Sequence, residues 1–412
     1  MSGSRDYDII IAGGGMIGSS LGLALAPLGL SVAIVEAVAR GAVQQPSFDD
    51  RSTALSRSSQ RMFEAMGLWP EIAASSTPVR SIHVSDRGRF GFSHIEAEEQ
   101  RVEALGYVVI NRVLGAVLQR ALASVDGPDM VCPGRIVAVE TTDERVSVRI
   151  EEPQATRVLT GRLLVAADGA NSTVRDMIGI SATHTDYAQT AIVGNVLPER
   201  RPENRAFERF TETGPIAMLP VADDRAAFVW MQPPEEAEGL LALPDDAFTE
   251  RLQTAFGMRL GRFSRVGKRA AYPLVLTKAN AVVARRGVLV GNAAHGLHPV
   301  AAQGFNLGMR DVAALCDCIA DARRDREDRF DPGDADLLHR YADWRRGDQN
   351  KLVAFTDGLV RLFGSRRIPL RVLRGAGMLG FDLLPGVRRL FARHTMGLAG
   401  RLPRLSRGVP LE

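Results

Sequence analysis

The 412-residue sequence contains little cysteine, and this scarcity limits the kinds of site that it can build. Its three cysteines, Cys132, Cys316 and Cys318, form no CxxC pair or other metal-ligand spacing. Cys316 and Cys318 stand two apart in a predicted helix, where their side chains diverge. This usage argues against a disulfide framework or a cysteine-ligated metal, and it favours a reduced, cytoplasmic protein.

The sequence also lacks the usual marks of export and of membrane insertion. No basic segment precedes the first apolar stretch, which argues against a secretory signal. Residues 9–35 carry no charge, and hydropathy alone would mark them as a membrane span. Glycines and Pro27 interrupt this run and divide it into strand, turn and helix, so we predict no span. Internal repeats and long low-complexity segments are missing as well.

Positive charge is concentrated in the last part of the chain. The formal net charge is +3, yet residues 361–412 carry eleven arginines against Asp382 and Glu412. Arginines among apolar residues suit the anionic surface of a membrane, and we expect no nucleic-acid partner. A dimer interface and docking onto another enzyme are the two alternatives for this segment.

The order of predicted elements is typical of an α/β protein. Periodicity predicts a β-α-β unit (7–36), a helix (52–67), a hairpin (81–96), a helix (111–125), a second hairpin (135–151) and a strand-loop-helix unit (162–179). From about 185 to 275 the sequence is rich in predicted strands, with one helix near 246–256. The last part, from about 345, is predicted to be helical.

A glycine fingerprint follows the first predicted strand. The segment IIIAGGGMIGSS contains Gly13-x-Gly15-x-x-Gly18 and leads into a helix. Gly13 permits the tight turn, Gly15 lets a pyrophosphate approach the backbone, and Gly18 lets helix and strand pack closely. Glu36 ends the second strand, where its carboxylate would bind an adenosine ribose and disfavour a 2′-phosphate. The fingerprint therefore predicts a site for NAD or FAD in preference to NADP.

Two later segments complete a set of three motifs. VAADGANSTVR and GNAAHGLHPVAAQGFNLG each follow a strand. In order and spacing, the three motifs resemble those of the aromatic-ring flavoprotein monooxygenases, which share the para-hydroxybenzoate hydroxylase fold, over nearly the whole chain. Within that group, DRSTALSRSSQRMFEAMGLW, RAFERFTETGPIAMLP and KRAAYPL resemble the FAD-dependent hydroxylases of ubiquinone biosynthesis. The last motif, GNAAHGLHPVAAQGFNLG, is especially similar to the 2-polyprenyl-6-methoxyphenol hydroxylases.

The resemblance implies a fold and a domain order. The expected fold is α/β, with a Rossmann-like FAD-binding domain, an inserted sheet-rich substrate domain and a C-terminal helical segment. The expected boundaries are 1–75, 101–184 and 276–344 for the FAD-binding domain, 76–100 and 185–275 for the substrate domain, and 345–412 for the C-terminal helical region.

The resemblance also implies contacts with FAD for fourteen residues. The ADP half is expected to contact Gly13, Gly15, Gly18 and Glu36, and the pyrophosphate and flavin are expected to contact Arg51, Asn111 and Arg112. Asp168 and Arg175 belong to a motif that serves FAD and the approach of reduced nicotinamide. The last motif contributes Pro299, Asn292 at the ribityl chain or pyrophosphate, and Gly304, Asn306 and Leu307 near the flavin pyrimidine. A helix beginning near Asn306 would stabilise negative charge on the reduced ring by about 0.3–1 kcal/mol or more.

Plainer interpretations exist for two of the arginines and for the histidines. Arg51 could pair with a neighbouring aspartate at the surface, and Arg175 could be an exposed helix arginine. His295 and His298 stand three apart without a third ligand, so we expect them to line the loop and predict no metal.

The strands and the last motif leave further questions open. Phe228, Trp230 and Met231 could line a channel for a prenyl chain or form ordinary sheet core. Asn292 stands where the wider superfamily usually has aspartate. Ala302 replaces a usual glycine, which costs roughly 1 kcal/mol if the position needs a positive φ.

The implied activity is that of a FAD-dependent aromatic monooxygenase. It would convert 2-polyprenyl-6-methoxyphenol to the 1,4-benzoquinol in ubiquinone biosynthesis through a C4a-hydroperoxyflavin, with O₂ as co-substrate and NAD(P)H or another reductant as electron donor. The alternatives are a related flavin hydroxylase acting at another ring position or on another phenol, a flavin-binding subunit without turnover and, least favoured, an NAD dehydrogenase. Other expected partners are the inner membrane surface, which would make the cytoplasmic protein peripheral, and further enzymes of the pathway. The sequence identifies no catalytic base.

Overall fold

The computed structural model describes residues 5–39, 51–87, 92–124, 127–296, 303–325, 329–364 and 385–411. The strands are β1 Arg5–Ala12, β2 Val32–Val35, β3 Ser52–Ser56, β4 Ser76–Val79, β5 Ser81–Asp86, β6 Phe92–Glu96, β7 Gly106–Ile110, β8 Asp129–Val131, β9 Arg135–Thr141, β10 Val146–Glu152, β11 Ala155–Ala166, β12 Ala182–Pro198, β13 Arg205–Phe210, β14 Pro215–Pro220, β15 Ala226–Gln232, β16 Phe263–Ser264, β17 Ala270–Ala279, β18 Val283–Ala284, β19 Gly287–Leu289 and β20 His295–Gly296. The helices are α1 Met16–Leu25, α2 Arg57–Ala65, α3 Trp69–Ala73, α4 Asn111–Ser124, α5 Thr173–Met177, α6 Pro234–Leu241, α7 Asp245–Phe256, α8 Gly304–Asp325, α9 Ala335–Gly364 and α10 Pro385–Thr395.

An eight-stranded sheet carries the predicted β-α-β unit. Its main path runs β18-β19-β11-β1-β2-β8, and β1 pairs in parallel with both β2 and β11. Ile9, Ile10 and Ile11 are completely buried, because elements cover this parallel sheet on both faces. The antiparallel pair β9–β10 extends from β11 and confirms the second predicted hairpin.

A nine-stranded sheet contains the strand-rich segment. Its main path runs β20-β17-β12-β15-β14-β13-β5-β6. The predicted hairpin β5–β6 joins this sheet through the parallel pairing of β5 with β13, although more than one hundred residues separate them in sequence. Helices α6 and α7 pack on one face, where Phe228 and Trp230 lie buried against Phe248. The core interpretation is therefore right for Phe228 and Trp230, while Met231 points to the other face by strand alternation.

The prediction of one helix over 52–67 is wrong in its first part. Residues Ser52–Ser56 form β3, which pairs with β7 in a three-stranded sheet of order β3-β7-β4. Cross-strand pairing satisfies the backbone there, and Ser56 then caps α2 by accepting a hydrogen bond from the N–H of Ser59. Gly67 follows the helix with a φ of 73°, as its predicted capping position requires. Helix α6 was not predicted.

Helix α8 packs against the first helix of the chain. A Cβ placed on Gly308 would lie 2.9 Å from Ile17 Cδ1 and 3.0 Å from the Cα of Gly291. This close approach brings the glycine fingerprint, the loop after β19 and α8 together, so it positions the site. No helix within the described residues is long and apolar enough to cross a bilayer.

Residues 385–411 pack against the rest of the protein. Ala392 is completely buried, and the carbonyl of Met396 accepts a hydrogen bond of 3.0 Å from the N–H of Ser58. Arg404 donates to Asp317 at 2.8 Å, and the Arg401 guanidinium lies 4.1 Å from the ring centroid of Trp344. Arg401 and Arg404 of the basic segment (361–412) are therefore held by contacts with α8 and α9.

Candidate active site

The glycine turn between β1 and α1 forms one wall of the candidate site. Gly13 has a φ of 100°, and a Cβ at this position would lie 2.6 Å from the carbonyl oxygen of Ala167. A Cβ on Gly18 would lie 1.9 Å from the carbonyl oxygen of Gly13, so only glycine permits this packing. Gly15 is the N-cap of α1 and provides no side-chain cap. The first N–H groups of α1 are thus suited to an anionic ligand.

Glu36 lies beside this turn, where the fingerprint predicts it. Its Oε2 atom accepts a hydrogen bond of 2.6 Å from the N–H of Gly14, and its Oε1 atom accepts one of 2.8 Å from the N–H of Val38. Each carboxylate oxygen keeps a second lone pair for a ribose hydroxyl. The position and the remaining acceptor capacity of Glu36 fit the adenosine half of a dinucleotide.

Arg51 directly precedes β3, and Asn111, the first residue of α4, lies beside it. The N–H of Asn111 donates to the carbonyl of Arg51 at 2.8 Å, and Thr53 Oγ1 donates to Asn111 Oδ1 at 2.7 Å. The Arg51 guanidinium lies 4.5 Å from the ring centroid of Tyr272 on β17, a cation–π distance. Arg51 therefore connects the three-stranded sheet, which contains β3, to the nine-stranded sheet, which contains β17. Arg112, the next residue after Asn111, is exposed.

Asp168 organises the loop after β11. Its Oδ1 atom accepts a hydrogen bond of 2.5 Å from Ser172 Oγ, and its Oδ2 atom accepts one of 3.2 Å from the N–H of Val174. Burial raises the pKa of Asp168, and these hydrogen bonds oppose that shift. The Cα of Asp168 would lie 3.0 Å from a Cβ on Gly13, so this loop borders the glycine turn.

Arg175 connects two of the three motifs. Only 4% of its surface is exposed, so the interpretation as an exposed helix arginine is wrong. Its Nη1 atom donates to the carbonyl of Ala170 at 3.1 Å and to that of Ala293 at 3.4 Å. These contacts hold the loop after β11 against the loop after β19, and contact with a cofactor stays a prediction.

A buried ionic network supports the loop after β19. Asp311 on α8 is completely buried and accepts hydrogen bonds from the N–H of Gly291 (3.0 Å), His295 Nε2 (2.5 Å), Arg345 Nε (2.7 Å) and Gln349 Nε2 (3.2 Å). Burial opposes ionisation, but His295 and Arg345 outweigh it and hold the pKa of Asp311 below its usual range. His295 therefore anchors the loop through Asp311, and His298 lies outside the described residues.

The N-terminus of α8 faces the same region. Asn306 Oδ1 accepts from the N–H of Ser56 and from Ser59 Oγ, both at 2.8 Å, and its Nδ2 atom donates to the carbonyl of Ala54 at 2.9 Å. These bonds fix α8 to the β3–α2 junction, so the side chain of Asn306 positions the N-terminus of α8. Leu307 is completely buried, and its N–H donates to the carbonyl of Gln303 at 2.9 Å.

Gly304 and Asn292 meet at this end of α8. A Cβ on Gly304 would lie 4.0 Å from Asn292 Oδ1, and the side chain of Asn292 is exposed. The first N–H groups of a helix lack intrahelical acceptors, which suits a negatively charged ring edge. Pro299 and Ala302 lie outside the described residues, so their predicted roles stay predictions.

The residues present fit FAD. Two helix N-termini, those of α1 and α8, border the same region and suit the negatively charged parts of FAD, and Glu36 stands beside the first of them. Sequence reasoning missed the Asp311 network and the positioning role of the Asn306 side chain. The signal was present in MRDV, where charged residues interrupt the apolar stripe of a predicted buried helix.

Comparison with known proteins agrees with this geometry. Residues 6–356 match the family model described as FAD binding domain. The ubiquinone hydroxylase UbiL of Rhodospirillum rubrum is 38% identical over 416 residues, which cover 100% of this chain and 95% of that protein. The 3-demethoxyubiquinol 3-hydroxylase of Escherichia coli is 31% identical over 399 residues, which cover 96% of this chain and 100% of that protein.

A solved structure supports the same fold. The p-nitrophenol 4-monooxygenase of Pseudomonas putida superposes with a TM-score of 0.79 at 17% identity, covering 96% of this chain and 99% of that one. At this identity, the likeness concerns the fold. Together with the whole-length relatives, it confirms the predicted α/β architecture. The chain belongs to the FAD-binding domain family and, within it, to the FAD-dependent monooxygenases of the ubiquinone-hydroxylase group.

Proposed function

We propose that this enzyme hydroxylates a polyprenylated phenol in ubiquinone biosynthesis, converting 2-polyprenyl-6-methoxyphenol to the 1,4-benzoquinol. A relative named as a ubiquinone hydroxylase and one named as a 3-demethoxyubiquinol 3-hydroxylase align over 100% and 96% of the chain and support this pathway. These two relatives are named for different reactions, so the substrate and the ring position stated here are our proposal.

The observation that carries the proposal is the apolar face of the nine-stranded sheet that α6 and α7 leave uncovered. Ala206 and Ala227 on this face pack with Val79 and Val108 of the three-stranded sheet. Arg51 reaches the same face at Tyr272. The face is therefore turned toward the elements that border the FAD site.

A row of partly accessible residues crosses the middle of this face. Strand pairing aligns its six members, here called the central row: Val84, Glu208, Ala217, Val229, Val193 and Ala270. All six are half-buried, whereas the next row includes the buried residues Met231 and Ala191. Five of these six side chains are small and apolar, and a partly accessible surface of this kind suits an alkylated aromatic ring.

Bound FAD would supply activation of O₂ for transfer of one oxygen atom to the ring. The chain would orient the phenol between the central row and the helix N-termini and would keep water out. Reduced nicotinamide is the proposed electron donor. A phenol with alkyl and methoxy substituents is electron-rich para to its hydroxyl, which agrees with para-hydroxylation.

Product analysis tests this proposal. Purified protein loaded with FAD is mixed with NADH or NADPH, O₂ and defined polyprenyl phenols, and the products are identified by mass spectrometry and NMR. We expect the 1,4-benzoquinol from 2-polyprenyl-6-methoxyphenol. A product hydroxylated elsewhere would overturn the ring position, and donor oxidation that yields no hydroxylated phenol would indicate a flavin-binding subunit without turnover.

We also propose that α10 rests on an anionic membrane surface, where a polyprenyl phenol would be found. The outward side of α10 carries the exposed apolar residues Val387 and Leu390, with exposed fractions of 45% and 61%. Arg389 and Arg393 are exposed on the same helix. Apolar residues flanked by arginines favour an interfacial helix.

Co-sedimentation with liposomes tests the membrane proposal. Deletion of the whole basic segment would remove residues that pack in the fold, so the double variant Val387→Ser with Leu390→Ser is the sharper change. We expect it to reduce binding to anionic liposomes while thermal stability is kept. Val158→Ser, at a residue that is 47% exposed on β11, is the control. Unchanged binding by the α10 variant would contradict the proposal.

A further inference from the structure

One carboxylate interrupts the apolar central row. Glu208 on β13 pairs with Val84 on one side and with Ala217 on the other. Among the six residues of the row, it is the one that carries a charge. A carboxylate placed in such a row loses hydration, so its position calls for a polar ligand.

The neighbouring arginines of β13 do not neutralise this carboxylate. Arg205 and Arg209 point to the opposite face by strand alternation. Arg205 Nε donates to Ser81 Oγ at 3.1 Å, and Arg209 lies next to Gly257 at the end of α7. Within the described part of the chain, no arginine or lysine nitrogen lies within 4.0 Å of the Glu208 carboxylate.

The side chain of Glu208 is nevertheless reachable. It is half-buried, like the rest of the central row. Burial raises its pKa to about 7. A group whose pKa lies near the working pH can exist both as a proton acceptor and as a proton donor.

We propose that Glu208 receives the phenolic hydroxyl of the substrate, accepting first its hydrogen bond and then its proton during oxygen transfer. This inference rests on the proposed function and names a residue for the catalytic base that the sequence did not identify. The central row would hold the ring, and Glu208 would fix which ring carbon is presented for oxidation.

The proton transfer balances without any change in the oxidation state of Glu208. When the proton moves to the carboxylate, the O–H electron pair stays on the phenolic oxygen and enriches the ortho and para carbons. One atom of O₂ is transferred to the ring carbon, the other leaves as water, and reduced nicotinamide supplies the two electrons. The ring carbon then loses its C–H proton to solvent and regains aromaticity, while Glu208 returns its proton to the phenolic oxygen. Solvent supplies the protons that, with the two electrons, complete the water.

Two substitutions separate the acceptor role from the proton-transfer role. Glu208→Gln keeps the size and an accepting oxygen but cannot take a proton, while Glu208→Leu removes both properties. With a polyprenyl phenol, O₂ and NADPH, we expect kcat/KM to fall about 100-fold in Glu208→Gln and further in Glu208→Leu. Bound FAD and thermal stability should stay at wild-type values. Glu151→Gln, at an exposed strand position in the other sheet, should leave kcat/KM unchanged.

Binding without turnover gives a second readout. Under anaerobic conditions, the change in flavin absorbance reports the binding of the phenol and of a matched arene that lacks the hydroxyl. We expect wild-type protein to prefer the phenol and Glu208→Leu to bind both alike, with unchanged affinity for the arene. A Glu208→Leu protein that keeps the wild-type preference, or a Glu208→Gln protein with wild-type kcat/KM, would overturn this inference alone. Wild-type protein that hydroxylates no polyprenyl phenol would overturn the proposed function as well.

Discussion

The two helix N-termini that border the candidate FAD site are built in different ways. At α1, glycines leave the backbone bare, and a Cβ on Gly18 would collide with the turn. At α8, side chains do the positioning, since Asn306 bonds three groups of the β3–α2 junction and Asp311 bonds the loop after β19. The first terminus depends on the absence of side chains, and the second depends on a polar network that must be complete.

This difference explains why one terminus can be recognised by a motif and the other cannot. Only glycine fits several positions of the α1 turn, so spacing in the sequence reports the geometry directly. Several residue types could anchor α8, and their partners lie far away in sequence. Substitutions at the two termini should therefore change different properties: mainly stability at α8 and mainly FAD affinity at α1.

The largest expected effect is on the network at α8. Asp311→Asn removes the buried anion that Arg345 and His295 contact, and breaking a buried pair costs about 3–5 kcal/mol. We expect a lower midpoint of urea unfolding, measured by circular dichroism with and without FAD. Asp343→Asn removes an exposed pair with Arg346 and should change stability by about 0.5 kcal/mol or less. Equal midpoints for both variants would show that the network adds no stability.

A large effect on cofactor binding is expected at α1. Gly18→Ala places a Cβ 1.9 Å from the carbonyl oxygen of Gly13, so the turn must shift away from its present geometry. We expect the affinity for FAD to fall by at least about tenfold, which corresponds to about 1.4 kcal/mol. Titration of apoprotein followed by flavin fluorescence measures this change. Gly239→Ala, in α6 with no atom within 4 Å, is the control and should bind FAD normally.

An intermediate effect is expected from the anchor between α8 and the β3–α2 junction. Asn306→Ala leaves the N–H of Ser56 and the carbonyl of Ala54 without this partner, which costs about 1–3 kcal/mol. We expect lower stability and weaker FAD binding together, because α8 loses its fixed position. Thermal unfolding of apoprotein and FAD titration measure the two properties. Loss of affinity at unchanged stability would instead indicate direct contact of the side chain with FAD.

The smallest effect is expected at Asn292. Its side chain is exposed next to Gly304, so replacement by alanine should leave the apoprotein stable. We expect FAD to bind about three- to tenfold more weakly, because one hydrogen bond to the cofactor is lost. Equal affinity of Asn292→Ala and wild-type protein would count against the predicted contact with the ribityl chain or pyrophosphate.

Much of the fold could be predicted because its signals are local. Periodicity gave the β-α-β unit and both hairpins, and the fingerprint placed Glu36 next to the glycine turn. The error at Ser52–Ser56 has a physical cause. A short polar segment shows no clear period, and pairing with β7 decides its conformation.

The sheet face and the polar anchors could not be predicted from local patterns. Glu208 lies on the face of β13 that is turned toward the site. That orientation depends on the pairing of β13 with β5 and β14 and on packing against the three-stranded sheet. Arg175 illustrates the same limit, since its partner Ala293 lies 118 residues away. Contacts of this kind follow from tertiary packing, which a single sequence does not reveal.

The bond between Asn306 and Ser56 has a consequence for how the protein is made. It joins residues 250 positions apart, so this part of the site cannot close until α8 has left the ribosome. The glycine turn can form early from neighbouring residues, while the second helix N-terminus arrives late. We therefore expect FAD loading to follow the synthesis of α8, which ends at residue 325 of 412, and a nascent chain stopped before α8 to hold an incomplete binding site.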